Sequence, residues 1–301
     1  MSYITGKDGI LEKWLNAGAS AWRLDVADEL PDGFLEALRT RVKATDPQAI
    51  VLGEVWEDAS NKHSYGHRRQ YLLGRQLDSV MNYPFREAIL DVVRDGNTAR
   101  FYERIMSIVE NYPPQVTRLL MNSLGTHDTE RAITLLAGEP SNGRGRSWQA
   151  AQRLSPEQRD RGLRLLRMAT VLQYCLPGVP CIYYGDEAGL EGYRDPFNRG
   201  CYPWGSEDNE LIAFYERLGT IRTACSALRE GEFCPLAAPD GVILFERRDG
   251  DGVLLCAVNC REETVTVAAH GFETAIGEAT TQGDAIELPK QSGSVLLCKK
   301  I

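Results

Sequence analysis

The chain has 301 residues, of which 25% are charged and 43% hydrophobic, and its 34 Lys and Arg against 42 Asp and Glu give a net charge of −8. This composition is typical of a globular protein and argues against an intrinsically disordered one. The acidic balance argues against a protein that binds nucleic acid by neutralising phosphates. The most apolar stretch, residues 168–184, is too short and too interrupted to span a membrane, and we expect no signal peptide at the N-terminus.

Eight cysteines are scattered along the chain, and no two of them form a Cys-X-X-Cys pair. Their density is too low for a disulfide scaffold, and their spacing does not indicate a metal site. We therefore expect reduced, mostly buried thiols and a cytoplasmic protein.

Short apolar segments alternate with amphipathic helical patterns over the first 230 residues. This order is typical of parallel β/α units, and five strands fit either an open doubly wound sheet or part of a (β/α)8 barrel. The predicted strands are 20–25, 50–53, 77–81, 116–122 and 181–184. The predicted helices are 5–17, 31–42, 84–93, 98–110, 155–174 (opened by a capping box of Ser155 and Gln158) and 207–228.

The pattern changes near residue 231, where short strands and turn sequences replace the helices. We predict two domains, a β/α domain over residues 1–230 and a small antiparallel β-sandwich over residues 231–301. The predicted strands of the second domain are 241–246, 252–259, 263–268, 285–288 and 294–298.

Carboxylates follow three of the predicted β/α strands. Arg23 and Asp25 point to the same side of the first strand, and an arginine in that position keeps the carboxylate ionised. Glu54 follows the second strand, and His127 and Asp128 follow the fourth. Each carboxylate taken singly could be a helix N-cap. Because catalytic residues of β/α folds lie at the carboxyl ends of strands, the three together indicate glycoside hydrolysis, which uses paired carboxylates.

The segments around these residues resemble the α-amylase family, glycoside hydrolase family 13. Residues 21–29 (AWRLDVADE), 51–56 (VLGEVW) and 125–129 (GTHDT) resemble the motifs of its nucleophile, its acid/base and its third carboxylate. Residues 178–187 (GVPCIYYGDE) are similar to its last barrel strand. The segments DSVMNYPF (78–85) and DPFNR (195–199) are similar to the neopullulanase, cyclomaltodextrinase and maltogenic amylase branch.

The resemblance implies a role for each of these side chains. Asp25 would attack the anomeric carbon, and Glu54 would protonate the leaving oxygen and later deprotonate water. Arg23 would hold and orient Asp25. His127 and Asp128 would bind the sugar at the cleavage point.

The resemblance also implies contacts with more distant sugars. Asp195 and Arg199 would bind a glucose on the non-reducing side, and Trp56 would stack on a sugar on the leaving-group side. A tryptophan that caps the barrel core is the alternative for Trp56. Asp28 and Glu57 stand where this branch usually has other polar residues. No cofactor or metal ligand is expected here, although calcium is bound by some full-length members of the family.

One motif of the family, an Asp…Asn-His segment, has no counterpart, since none of the four histidines precedes Arg23. Counting strands against the family, the chain corresponds to strands four to eight of the (β/α)8 barrel followed by the C-terminal β domain. Open sheet edges and uncovered apolar surface would follow. We therefore expect this chain to be a truncated form that is unstable alone or dependent on partner copies, and weakly active or inactive.

The predicted function is that of a retaining α-glucan hydrolase acting on maltooligosaccharides, cyclodextrins or pullulan. One alternative is a transglycosylase on the same site, because a sugar can replace water as the acceptor. Another is a non-catalytic remnant. The expected partner is an α-glucan oligosaccharide, with no nucleic acid and no membrane, and full-length members could form homodimers.

Overall fold

A computed structural model describes residues 2–298. The chain forms two compact units. The first unit runs up to Phe85 and includes Arg104–Asn122, and the second contains Arg86–Glu103 and the chain from Ser123 onward. The elements up to residue 123 are α1 (Ser2–Thr5), α2 (Ile10–Asn16), β1 (Ala21–Leu24), a 3-10 turn (Ala27–Glu29), α3 (Asp32–Thr45), β2 (Ile50–Gly53), β3 (His63–Ser64), β4 (His67–Arg68), β5 (Ser79–Val80), α4 (Tyr83–Asp95), α5 (Thr98–Asn111), α6 (Pro114–Thr117) and β6 (Met121–Ser123).

The first unit is built on parallel strands. Strand β1 pairs with β2, β2 pairs with β5, and Met81 forms a parallel bridge with Met121. Helix α3 buries Leu35 and Leu38 at helical spacing. Gly53 ends β2 where a Cβ atom would lie 2.5 Å from a methyl group of Leu77. A larger residue at this position would require the Leu77 side chain to move, just before the candidate acid/base residue.

The remaining elements belong to the second unit. They are α7 (Ala132–Ala137), α8 (Arg146–Ala151), α9 (Pro156–Cys175), β7 (Val179–Cys181), a 3-10 turn (Phe197–Arg199), α10 (Asn209–Ala224), α11 (Ser226–Glu230), β8 (Glu232–Pro235), β9 (Val242–Arg248), β10 (Val253–Asn259), β11 (Val265–Ala268), β12 (Phe272–Ile276), β13 (Thr280–Gln282), β14 (Ala285–Leu288) and β15 (Ser292–Cys298).

Helix α9 starts at the predicted capping box. The Ser155 hydroxyl accepts a hydrogen bond from the Gln158 N–H, and the Gln158 side chain accepts one from the Ser155 N–H. The helix is buried over its second half, including Leu166 and Leu172. A capping box satisfies two helix-start N–H groups locally, which is why this start was visible in the sequence.

The C-terminal strands form two antiparallel sheets, as predicted. One has the strand order β12-β15-β10-β9-β8, and the other has the order β11-β14-β13. Leu244, Leu255 and Leu296 from the first sheet share a hydrophobic core with Val267 and Ile286 from the second. The core therefore lies between the two sheets.

Four predicted elements were wrong in part. The helix expected over 5–17 is interrupted between Thr5 and Ile10. The segment 116–122 begins with the last turn of α6, which starts after Pro113, and only Met121–Ser123 is strand. The strand expected at 181–184 lies instead at Val179–Cys181. The helix expected over 207–228 breaks at Cys225. Short apolar runs fit a buried helical turn as well as a strand, so periodicity could not separate them.

All eight cysteines are described, and none forms a disulfide. Cys175 and Cys256 are buried, Cys201 and Cys298 are exposed, and the other four are half-buried. The expectation of mostly buried thiols is thus met only in part. Within residues 2–298, no helix combines the length and apolar character that crossing a membrane requires.

Candidate active site

The first cluster of the site joins Arg23, Asp25 and Glu54 in the first unit. Strands β1 and β2 are parallel neighbours, so the residues that follow Leu24 and Gly53 emerge at the same edge. Arg23 Nη1 donates to Asp25 Oδ1 at 2.5 Å, and its Nη2 lies 3.1 Å from Glu54 Oε2. The contact between Arg23 and Asp25 expected from their spacing is present. One guanidinium also bridges both carboxylates, which the sequence did not indicate.

The two carboxylates have different surroundings. Glu54 is only 3% exposed, and its Oε2 accepts the Val26 N–H at 2.7 Å, whereas the Asp25 side chain is 73% exposed. Val26 has φ 39°, in the left-handed region that β-branched residues avoid. Such strain concentrates at functional sites, and here it directs a backbone donor at the buried carboxyl group.

Trp56 has one covered and one open side. Its ring stacks on Tyr83 with centroids 4.1 Å apart and 11° between the planes, and Nε1 donates to Glu54 Oε1 at 3.3 Å. The residue is nevertheless 39% exposed. It therefore packs on Tyr83 while part of its surface stays accessible.

A polar network stands beside this cluster in the first unit. Lys62 Nζ lies 3.0 Å from Asp28 and 2.5 Å from Glu57, and the Tyr71 hydroxyl donates to Asp28 at 2.8 Å. Burial and the bond to Asp28 raise the pKa of Tyr71. Asp28 is thus part of an ion-pair network rather than a helix cap. Lys62 could not be predicted, because no local pattern links it to Asp28, which lies 34 positions earlier.

The second cluster lies in the second unit and brings together the other four predicted residues. His127 Nε2 is 3.1 Å from Asp128 Oδ2, and Arg199 Nη2 is 3.8 Å from Asp128 Oδ1. Arg199 Nε is 2.6 Å from Asp195 Oδ1. All four side chains are partly or largely exposed.

A buried ion pair, missed in the sequence, lies near the second cluster. Arg131 Nη1 is 3.0 Å from Asp186 Oδ1, and both side chains are almost completely buried. Burial raises the pKa of Asp186 to about 6, while the charge of Arg131 opposes the rise. The Arg131 guanidinium also lies over the rings of Tyr183 and Tyr184. Nothing in the sequence pairs these residues, which are 55 positions apart.

The other histidines lie apart from these clusters. His63 and His67 are on the exposed β3–β4 hairpin, and His270 pairs with Asp284 in the C-terminal sheets. No group of three His, Cys, Asp or Glu side chains within residues 2–298 is arranged to hold a metal ion.

Parallel β/α units with carboxylates at strand ends, followed by antiparallel sheets, are the organisation of a TIM-barrel glycosidase. The family model described as alpha amylase, catalytic domain, matches residues 5–227. The chain belongs to the alpha-amylase family.

Curated relatives share this assignment. The chain is 38% identical over 263 residues to an amylopullulanase of Thermoanaerobacter thermohydrosulfuricus, a match that covers 81% of this chain and 17% of the relative. It is 34% identical over 262 residues to a cyclomaltodextrinase of Thermoanaerobacter pseudethanolicus, covering 85% of this chain and 40% of the relative. The chain thus spans less than half the length of either relative.

Solved structures agree on the fold. A debranching enzyme from Nostoc punctiforme superposes with a TM-score of 0.79 at 28% identity, over 96% of this chain and 60% of that one. A cyclomaltodextrinase superposes with a TM-score of 0.76 at 30% identity, over 95% of this chain and 47% of that one. The chain therefore has the TIM-barrel fold of the family's catalytic domain together with C-terminal antiparallel sheets.

Proposed function

We propose that this chain carries the catalytic residues of a retaining α-glucan hydrolase. The observation that carries the proposal is the contact of one guanidinium, that of Arg23, with both Asp25 and Glu54. Retaining glycosidases place their two carboxyl groups about 5–5.5 Å apart, whereas inverting enzymes leave roughly 6.5–9.5 Å for a water molecule. Two carboxylates held by one guanidinium fit the shorter separation.

Asp25 is the proposed nucleophile. Its side chain is 73% exposed and its carboxylate is paired with Arg23, so the group is accessible to an anomeric carbon while its charge is stabilised. Attack forms the C1–Oδ bond of a glycosyl ester while the glycosidic C1–O bond breaks. Arg23 stabilises the ionised form that this attack requires.

Glu54 is the proposed acid and base. In the first step it gives a proton to the leaving oxygen, and in the second it takes a proton from the water that cleaves the ester. The Val26 N–H and the Trp56 Nε1–H, which donate to opposite oxygens, hold the carboxyl group in one orientation. Positioning of this kind is a main part of acid–base catalysis.

The other predicted residues are proposed to bind sugar. Asp128 is the third catalytic carboxylate and, with His127, binds hydroxyls of the sugar at the cleavage point. Asp195 and Arg199 bind a glucose further along the non-reducing side. Trp56 offers its open surface to a sugar on the leaving-group side, where stacking on an aromatic face is favourable.

The proposed substrates are maltooligosaccharides, cyclodextrins and pullulan. Relatives that match this chain are named amylopullulanase, cyclomaltodextrinase and neopullulanase, at 38%, 34% and 33% identity. All three names describe enzymes of α-glucans, which supports this substrate class for the present chain.

We further propose that the chain contains strands four to eight of the family's barrel, which correspond to β1, β2, β5, β6 and β7. These strands belong to a domain of residues 1–230, and a β domain of residues 231–301 follows it. Strand β1 is the end strand of its sheet among the described residues, and Trp14 and Tyr3 of the same unit are exposed. Open edges of this kind support the proposal that the chain alone has low turnover.

Because we expect the chain alone to have low turnover, the experiment measures formation of the glycosyl-enzyme in a single catalytic cycle. The purified chain is incubated with 5-fluoro-α-D-glucosyl fluoride, which is expected to leave one glycosyl group on Asp25, read by intact mass and peptide mapping. In parallel, maltotriose, β-cyclodextrin and pullulan are assayed, with NMR of the first product to show the α-anomer. Products longer than the substrate would indicate transfer to sugar instead of water.

Matched variants complete the test. Asp25→Asn must abolish labelling. Glu54→Gln must still be labelled, because the fluoride leaving group needs no proton, but it must release the label more slowly. Asp28→Asn, three residues away on the Lys62 network, must leave labelling intact. Labelling that survives in Asp25→Asn, or a β-anomeric first product, would overturn the proposal.

A further inference from the structure

A single buried amide holds the segment that carries His127 and Asp128. Asn198 is fully buried, and its Nδ2 donates to the backbone oxygens of Thr129 at 2.7 Å, His127 at 2.8 Å and Thr126 at 3.3 Å. This segment belongs to neither a helix nor a strand. Within the segment the Thr129 N–H donates to the Thr126 oxygen at 3.3 Å, and Asn198 supplies donors to the His127 and Thr129 oxygens from outside it.

The contact is reciprocal. The backbone oxygen of Asn198 accepts a hydrogen bond from Arg131 Nε at 2.8 Å, and the Arg131 N–H donates to the Gly192 oxygen at 3.0 Å. Arg131 also donates to the Tyr184 oxygen and pairs with Asp186. Asn198 and Arg131, which we call the Asn198 clasp, thus tie the residues before and after Asp128 to one buried frame.

Two buried polar atoms of the Asn198 clasp lack, among the residues that the structure describes, the hydrogen-bond partners that an arrangement serving stability alone would provide. Within the described residues, Asn198 Oδ1 and Arg131 Nη2 are buried without a hydrogen-bond partner. Buried polar atoms without a partner are uncommon in native structures and call for an explanation. Holding a functional segment in one geometry is an explanation that the three carbonyl contacts support.

We propose that Asn198 and Arg131 are positioning residues that hold His127 and Asp128 in their sugar-binding orientation. The sugar-binding part rests on the proposed function, whereas the positioning part does not. Neither residue touches substrate in this proposal. They act through the backbone of residues 126–129, which sets where the His127 ring and the Asp128 carboxylate point.

The test begins with a measurement that needs no activity. Long-range ¹H–¹⁵N NMR of the full chain resolves the ring nitrogens of its four histidines, and His127→Gln assigns the His127 signals. In Asn198→Ser, which cannot reach three carbonyl oxygens, the His127 signals are expected to move toward those of the exposed His63. If Asn198→Ser does not fold, Asn198→Gln keeps the amide but displaces it by one methylene, and the same movement is expected.

Asn259 provides a matched control. It is also fully buried, and its Nδ2 also donates to three backbone oxygens, those of Glu263, Leu288 and Pro289, in the C-terminal sheets. Asn259→Ser is expected to lower the melting temperature about as much as Asn198→Ser while leaving the His127 signals in place. This pair separates positioning from general stability.

Maltotriose binding, measured by calorimetry, is the second arm. Asn198→Ser is expected to weaken binding by about 10- to 100-fold, since displacing a binding group by about 1 Å has effects of this size, and Asn259→Ser to leave it within twofold. His127 signals that stay unchanged in both Asn198 variants would overturn the proposal. Absence of maltotriose binding by the unmutated chain would count against the proposed function, and the NMR arm would still decide the positioning role.

Discussion

Arg23 Nη2 lies 3.1 Å from Glu54 Oε2, so the guanidinium that pairs with the proposed nucleophile also contacts the proposed proton donor. The positions of the two carboxyl groups are therefore coupled through one planar, charged side chain. A planar guanidinium presents donors on separate nitrogens in a fixed geometry, so it sets the two carboxylates relative to each other, whereas an ammonium group contacts its partners from a single nitrogen.

Arg23→Lys tests this coupling. Lysine keeps the charge but has a single nitrogen on a flexible stem and loses the fixed planar fork, so we expect kcat/KM on maltotriose, or the rate of glycosyl labelling, to fall by about 100-fold. Far-UV circular dichroism should stay unchanged. Arg75→Lys is the control, because Arg75 is exposed and its contacts with Gln70 at 3.4 Å and Glu36 at 3.9 Å are long. Equal rates for both variants would show that the bridge has no catalytic role.

Gly125→Ala is expected to destabilise the second unit. A Cβ atom at this position would lie 2.3 Å from Asp186 Oδ2, and Asp186 cannot move away because Arg131 holds it in a buried pair. We expect a cost of about 1–3 kcal/mol, the usual range for overpacking. Chemical denaturation measures it. Gly145→Ala should be close to neutral, since nothing lies within 4 Å of its added Cβ.

The stability of the chain should carry a pH-dependent contribution from Asp186. Burial raises its pKa from 3.8 to about 6 in the folded state, so the folded chain binds a proton more tightly than the unfolded chain. This contribution is complete below about pH 4 and is lost as the pH rises through 6, for a total of about 3 kcal/mol.

The measurement is the midpoint of urea unfolding from pH 4 to 7, compared between the unmutated chain and Asp186→Asn. The variant lacks the titrating group, so the difference between the two curves isolates Asp186 from other carboxylates. Asp78 is one of these, and against the opposing effect of burial its pKa is lowered by the Val51 N–H and by its contacts with Lys43 and Arg39. A difference that stays constant across this range would contradict the prediction.

The exposed thiol of Cys201 and the buried thiols of Cys175 and Cys256 should react at different rates. Cys201 is exposed, whereas Cys175 and Cys256 are buried, and burial raises the pKa of the Cys256 thiol. Because the thiolate is the reactive form, we expect Ellman's reagent to modify Cys201 quickly and the buried pair only after unfolding. Cys201→Ser should remove one equivalent from the fast phase. A fast phase unchanged in this variant would place Cys201 out of reach of solvent.

Much of the fold was predictable where the signal is local. Strand β2 was predicted at its observed bounds, Ile50–Gly53, because a short apolar run ends at a glycine. The start of α9 was predicted from Ser155 and Gln158, which satisfy each other's backbone groups within one turn. In contrast, the β3–β4 hairpin was missed, since Tyr65 and Gly66 form its turn between polar strands of only two residues.

The residues of the candidate site also fall into two groups, those that a local motif predicts and those that only the folded chain brings together. The sequence alone determined the family and nominated Asp25, Glu54 and Asp128, because each follows a strand within a short motif whose chemistry is recognisable. Tertiary structure alone decided that Arg23 bridges Asp25 and Glu54, and that Asn198 holds the segment carrying His127. Arg23 and Glu54 are 31 positions apart and the Asn198 contacts span 69 to 72 positions, and only folding brings such residues within hydrogen-bond distance. A motif records the residues that perform chemistry, whereas the groups that position them are selected by shape and by the need to satisfy buried polar atoms.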